Sequence, residues 1–255
     1  MPQSLQKYFS GRVSRTTLLV LMTLGFASFY CTVIAAAIRF PDGYDWRVRV
    51  ISNLTSARYN PQYYWLPSLG IGVTALLLFP FAGYVKRRLR AIDLNAAHSA
   101  GVAFAGSFGL LLLSFLAQLA QPVIGLGWLH EFLARAAAAI FGAGMFCCSA
   151  CAVKDRFKLF GGRRLLGNAL TFSWASLTLL PVVCLVVGGT LVLLGHKANV
   201  LWVENIRQSF RTTMFWNLAF WEWAGALGVS TFLTVSALWL PEPAAEIHSP
   251  RQSSS

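Results

Sequence analysis

The chain has 255 residues, of which 56% are hydrophobic and only 12% are charged, whereas an ordinary soluble domain carries roughly 25% charged residues. With a mean hydropathy of +0.58, this composition excludes a soluble globular enzyme and a disordered chain. The formal net charge is nevertheless +12. Because the basic residues lie in short clusters between apolar runs, we interpret them as loop charges of a membrane protein, and no nucleic-acid partner is expected.

Six apolar stretches are long enough to cross a bilayer, which takes roughly 20 residues. They cover residues 17–38, 66–85, 99–121, 132–153, 168–194 and 214–240. The sequence therefore predicts an all-α fold, a polytopic membrane helix bundle with six transmembrane helices in one domain over residues 1–240. Pro181 should kink the fifth helix, because proline removes a backbone donor. The tail at 241–255 is rich in Pro and Ser and is predicted to be disordered.

The orientation follows from the distribution of Lys and Arg among the loops. In the six-span arrangement, more of these residues lie on the side of the two termini than on the other side. Because cytoplasmic loops are enriched in Lys and Arg, both termini and the tail are predicted to be cytoplasmic. The pattern is that of a multi-pass protein of a plasma membrane, or of an inner membrane in a bacterium.

Small residues recur at four-residue spacing in the third and fourth stretches. The two stripes consist of Gly101, Ala105 and Gly109, and of Ala134, Ala138 and Gly142. Such stripes let helix backbones approach closely. We expect the third and fourth spans to pack as an antiparallel hairpin, because only a short turn joins them.

The first outer loop, residues 39–65, is the longest and is rich in Tyr and Trp. Aromatic residues beside a membrane usually lie at the level of the lipid headgroups, and loops longer than about 12–15 residues are often functional. One interpretation is a lid that only covers the ends of the bundle. The other is a binding surface for a lipid headgroup or a partner protein, with Ser52, Asn53 and Tyr59 as candidate contacts.

This loop also carries a short pattern, and the residues that match it are Ile51, Ser52, Leu54, Asn60 and Pro61. Together with six spans and cytoplasmic termini, the pattern resembles the DUF998 group, which is related to the Frag1/DRAM/Sfk1 membrane proteins. The chain has Asn53 and Thr55 where an acidic residue and a glycine are commoner in that group. The resemblance implies handling or organisation of membrane lipids in some members and no established reaction in most, and it brings no catalytic residue.

Two ionisable residues lie at membrane depth, Arg135 in the fourth stretch and Glu222 in the sixth. A charge inside a span costs about 2.5–3.5 kcal/mol on insertion scales, so each is a functional candidate. Arg135 could pair with Glu222 across the bundle, or with Glu131, because residues i and i+4 share a helix face. The structural interpretation is an ion pair that fixes the helix register.

The functional interpretation is a polar pocket under the aromatic loop, open to the outside. His130, Glu131, Arg135 and Glu222 would line it beside Trp221 and Trp223. The planar guanidinium of Arg135 would suit a phosphate or carboxylate. No zinc-binding spacing and no nucleotide or nucleophile motif occurs, so neither metal, cofactor nor catalytic residue is predicted.

The leading hypothesis is a non-enzymatic membrane protein that binds or organises membrane lipid, or a partner protein, through this pocket and the loop. A second hypothesis is an accessory subunit of a larger membrane complex, or a homo-oligomer, with the small-residue stripes as docking faces. A third is a lipid-modifying enzyme or transporter that uses Glu222 as general base.

Overall fold

The computed structural model describes residues 3–124, 127–157, 165–179 and 218–241, together with isolated positions between 202 and 213. These residues form helices and connecting turns, without a strand among them. The helices are α1 (Gln3–Phe9), α2 (Arg15–Ile38), α3 (Ile51–Thr55), α4 (Trp65–Leu89), α5 (Leu94–Ile124), α6 (Gly127–Phe157), α7 (168–179) and α8 (Leu218–Trp239).

Four helices, α2, α4, α5 and α6, are long and apolar enough to cross a membrane. They coincide with the first four predicted spans and extend several of them by a few residues. Helices α5 and α6 have 31 residues each, about 46 Å at 1.5 Å per residue, which exceeds the hydrocarbon core of about 30 Å. The fifth predicted span is described only over 168–179, so Pro181 lies outside the described residues, as does the tail from 242. Helix α8 lies within the sixth predicted span.

The bundle has two chemically different ends. At the loop end, the connection of residues 39–64 joins α2 to α4. At the basic end lie α1, the α4–α5 turn, and the last turns of α6 and α8. Tyr84 Oη donates to the carbonyl of Ala237 at the basic end, and Ser52 contacts Glu222 at the loop end. Helix α8 therefore runs from the loop end to the basic end.

Local polar contacts explain where the membrane helices begin. Ser14 Oγ accepts from the Thr17 N–H and so caps α2 at 3.0 Å. Asp93 caps α5 in the same way, through the N–H of Ala96 at 2.8 Å. Each cap satisfies a backbone donor that has no partner within its own helix.

A proline inside α4 is accommodated by a tyrosine from α1. Pro80 has no N–H, so the carbonyl of Leu76 loses its partner four residues on. Tyr8 Oη donates to this carbonyl at 2.6 Å. Gly11 follows α1 with a φ of +66°, and its backbone lies against Gly83 of α4. Helix α1 is thereby held along the basic half of α4.

Aromatic rings fill the centre of the bundle. Phe104 of α5 is within 6 Å of ring centroids on three other helices, those of Phe81, Phe141 and Phe232. Trp174 of α7 stacks on Phe232 and donates its indole N–H to Ser236 Oγ at 2.9 Å. These buried rings join the five helices α4, α5, α6, α7 and α8 in one core, because large aromatic side chains contact more than one helix at once.

Helices α5 and α6 form the expected hairpin, but their close approach does not lie at Gly101 or Gly142. Gly101 lies against Lys86 and Ala82 of α4, and Gly142 has no side chain within 4 Å of its would-be Cβ. The close approach occurs at Gly144, beside the ring of Phe104. Four-residue spacing therefore identifies a face of small residues without saying which neighbour that face meets.

Two arginines at the basic end bind the last carbonyls of α8. Arg15 Nη2 donates to Leu240 O at 2.7 Å, and Arg88 Nη1 donates to Pro241 O at 2.6 Å. Carbonyls at a helix C-terminus lack intrahelical partners and carry partial negative charge, so cations are favourable there. These side chains therefore also bind helices together, beyond the orienting role expected from the sequence.

Candidate functional site

The 39–64 loop contains the short helix α3, whose first turn is capped by a side chain from α8. The N-cap residue Val50 has no side chain that could accept a hydrogen bond. Glu222 takes its place, because its Oε2 accepts from the Ser52 N–H and its Oε1 accepts from Ser52 Oγ, both at 3.1 Å. A carboxylate is favourable at a helix N-terminus. Two of the predicted site residues are thus brought together, 170 positions apart in the chain.

The other end of α3 is held by two amide side chains. Asn60 is fully buried and donates from Nδ2 to Leu54 O at 3.2 Å. Gln118 of α5 is also buried and donates from Nε2 to Thr55 O at 2.8 Å. Because the loop carbonyls they bind are away from water, each bond prevents the cost of an unsatisfied buried acceptor. The loop is therefore docked on the bundle at both ends of α3.

Beside the docked loop lies an open groove between α2 and α8, with a volume of about 560 Å³. We call it the lateral groove. Its wall consists of apolar and aromatic side chains, principally Ile34, Ile38, Tyr44, Trp46, Trp223 and Leu227. Ile38 is 79% exposed on the open side. The groove is thus an apolar surface at the loop end that opens sideways.

Tyr44, and Arg47 next to Trp46, bring polar groups to the loop edge of the lateral groove. Tyr44 Oη donates to Arg49 O at 2.8 Å, and burial raises the pKa of Tyr44 to about 12, so the phenol is protonated at neutral pH. The guanidinium of Arg47 lies 5.9 Å from the ring centroid of Trp46. A positive charge therefore stands where the apolar wall meets the loop.

The polar pocket expected from the sequence does not form as a unit. Arg135 Nη2 binds Glu131 Oε2 at 2.9 Å, and the two side chains are 81% and 62% exposed. Of the two partners considered for Arg135, the structure shows Glu131. His130 instead contacts Ser114 of α5, with its Nδ1 2.9 Å from Ser114 Oγ. These three residues belong to α6 and do not line the lateral groove.

The remaining predicted residues have separate positions. Trp223 lines the lateral groove, while the ring of Trp221 packs against Phe220. Tyr59 is exposed beside Arg58, and Asn53 lies half-buried within α3.

Sequence reasoning missed three residues that matter for this site. Gln118 is a polar residue inside an apolar run, and that feature was a usable signal. Tyr44 and Trp46 were noticed only as members of an aromatic loop, since nothing in the sequence indicates that they meet α2 and α8.

Within the described part of the chain, no group of three or more His, Cys, Asp or Glu side chains could hold a metal ion. No family model matches the chain, and no curated protein or solved structure is detectably similar to it. The candidate site therefore rests on its own geometry.

Proposed function

We propose that the protein is a six-span membrane protein with both termini in the cytoplasm, and that it holds a membrane lipid in the lateral groove. The observation that supports this function is the apolar groove of about 560 Å³ beside the docked loop. A site of this volume with apolar walls and a few polar groups at one edge suits a small amphipathic ligand. The same site could take an apolar segment of a partner protein, which the experiment below distinguishes.

The acyl chain alone cannot give this site its selectivity. Lipid tails are about as apolar as the leucine side chains of a membrane protein, so moving a tail from bilayer to groove has little hydrophobic driving force. Selectivity must then come from the headgroup. Arg47 beside Trp46 offers a cation to a lipid phosphate, since a planar guanidinium binds phosphate oxygens well.

Glu222 has a structural role in this proposal. Its two carboxylate oxygens hold Ser52, so it fixes the loop that forms the edge of the groove. The alternative in which Glu222 acts as general base would require it to leave this contact. We therefore assign it to positioning the loop.

A groove-filling substitution tests the site directly. We expect Ala37→Phe to exclude a tightly retained lipid, because Ala37 lines the groove and a ring would occupy its space. The measurement is native mass spectrometry of protein released from lipid discs. The matched control is Ala139→Phe, at an exposed position on α6 that does not line the groove. Equal lipid retention by both variants would contradict the proposal, and a co-purifying protein lost only from Ala37→Phe would indicate the partner segment instead.

A charge substitution tests the headgroup contact. Arg47→Gln should weaken retention of phospholipid about fivefold, which corresponds to about 1 kcal/mol per basic residue near a lipid surface. Arg58→Gln removes the same charge from an exposed part of the same loop, away from the groove. If the two variants weaken retention equally, the effect is general attraction to the membrane and Arg47 has no specific role.

A further inference from the structure

A second site lies at the basic end, where three consecutive basic residues of α4 point to three different neighbours. Arg87 donates to Gly11 O in the α1–α2 turn, and Arg88 donates to Pro241 O after α8. Lys86 instead lies along α5, where its Cβ is 2.8 Å from the position that a Cβ on Gly101 would take. Because successive helical residues are about 100° apart, this divergence is a direct result of the sequence. Arg87 and Arg88 therefore bind backbone carbonyls outside α4, whereas the side chain of Lys86 lies beside α5.

Lys86 shares a cavity of about 230 Å³ with two other basic side chains, those of Arg90 and His98. Leu94 and Ala97 form its apolar wall. Within the described part of the chain, the side chains of Lys86, Arg90 and His98 make no hydrogen bond or ion pair. The cavity thus combines two permanent positive charges with an apolar surface at the end of two membrane helices.

The acidic residue nearest to the cavity in the sequence, Asp93, has other partners. Asp93 precedes Leu94, but one of its carboxylate oxygens binds Lys154 and the other caps the Ala96 N–H. The positive charges of the cavity are consequently not neutralised by this carboxylate. Arg90 and His98 are exposed and Lys86 is half-buried, so an anion can reach all three from outside, and the apolar wall next to them suits the first carbons of a lipid.

We propose that this cavity binds the phosphate of an anionic membrane lipid, with Lys86 and Arg90 as the charged contacts and His98 as a hydrogen-bond partner. Basic cavities between membrane helices are suited to such headgroups. The glycine at 101 is part of the site, because it leaves room for the stem of Lys86 against the α5 backbone. This site is separate from the lateral groove, which lies at the opposite end of the bundle.

The test compares two double variants with the same net charge. The full chain is placed in phosphatidylcholine discs with a minor fraction of phosphatidylglycerol, and bound phosphatidylglycerol is counted by native mass spectrometry. We expect Lys86→Gln with Arg90→Gln to weaken binding about 25-fold, from about fivefold per charge. Arg12→Gln with Arg156→Gln removes two exposed charges from the same end and should weaken binding much less, because neither residue lines the cavity. Equal weakening in both pairs would overturn the proposal.

A variant without any change of charge separates the cavity from general attraction. Gly101→Ala would place a Cβ 2.8 Å from the Lys86 Cβ and 3.2 Å from the Ala82 carbonyl oxygen, so α4 and α5 must separate beside the cavity and phosphatidylglycerol binding should weaken. Lys86→Arg keeps the positive charge and should retain phosphatidylglycerol binding. Retained binding would show that the fold tolerates a substitution at position 86. Unchanged binding in both Gly101→Ala and Lys86→Gln would refute the site. If inorganic phosphate binds the wild type in pure phosphatidylcholine discs as tightly as phosphatidylglycerol does, the lipid assignment is wrong.

Discussion

The hydrogen bond between Gln118 and the docked loop allows a quantitative prediction. This side chain is 1% exposed, and its Nε2 donates to Thr55 O at 2.8 Å. Gln118→Leu keeps most of the volume but leaves the carbonyl without its donor, at a cost of about 1–3 kcal/mol. A middle value of about 2 kcal/mol corresponds to about a 30-fold larger opening constant for the loop, since 1.4 kcal/mol is tenfold.

Hydrogen exchange in lipid discs measures this opening, because amides exchange through local unfolding. The informative peptides span residues 50–60, where Asn53, Ser56 and Asn60 donate backbone hydrogen bonds within the loop. Gln62→Leu makes the same chemical change at an exposed loop position and should leave the exchange rate unaltered. If Gln118→Leu accelerates exchange less than about threefold, the contact does not hold the loop and the reasoning fails.

Two further predictions concern the stability of the bundle. Gly11→Ala should destabilise the protein by about 2–5 kcal/mol, from the cost of a positive φ and overlap with Gly83 of α4. Gly43 has a φ of +77° and open space around it, so Gly43→Ala should lower the free energy of unfolding by only about 1–2 kcal/mol. Equal shifts in melting temperature in mild detergent for the two variants would contradict the close packing of Gly11. The second prediction concerns pH: the hydrogen bond from Lys154, and then that from Ala96, lowers the pKa of Asp93 below its ordinary value. The contribution of Asp93 to the free energy of unfolding is therefore fully present above about pH 4 and is lost as the pH falls through the lowered folded-state pKa. Asp93→Asn should accordingly reduce the dependence of the melting temperature on acid pH. An unchanged pH profile would be evidence against the pairing.

The first four membrane helices could be predicted from the sequence because their apolar runs are long and their ends carry charged or turn-forming residues. The hairpin of α5 and α6 followed from the shortness of their connection. The choice of helix partners could not be predicted, as Gly101 shows, because it depends on the lateral arrangement of the helices around the bundle.

The candidate site was only partly predictable for a related reason. Glu222 and Ser52 were each identified as candidates, Glu222 as a costly charge at membrane depth and Ser52 as part of the loop pattern. Their contact depends on how α8 approaches the loop, and no local pattern encodes that. Arg135 was expected to line a pocket. Its long side chain lies near a helix end and reaches the exposed Glu131, which costs less desolvation than a pairing inside the bundle.

The most direct test of the central proposal is to map where a lipid contacts the protein. A phospholipid with a photoreactive acyl chain is crosslinked to the protein in lipid discs, and the labelled peptides are identified by mass spectrometry. The proposal predicts preferential labelling of residues 34–38 on α2 and 223–227 on α8, and loss of that labelling in Ala37→Phe. Equal labelling of all lipid-facing helices, unchanged by Ala37→Phe, would show that the lateral groove holds no particular lipid.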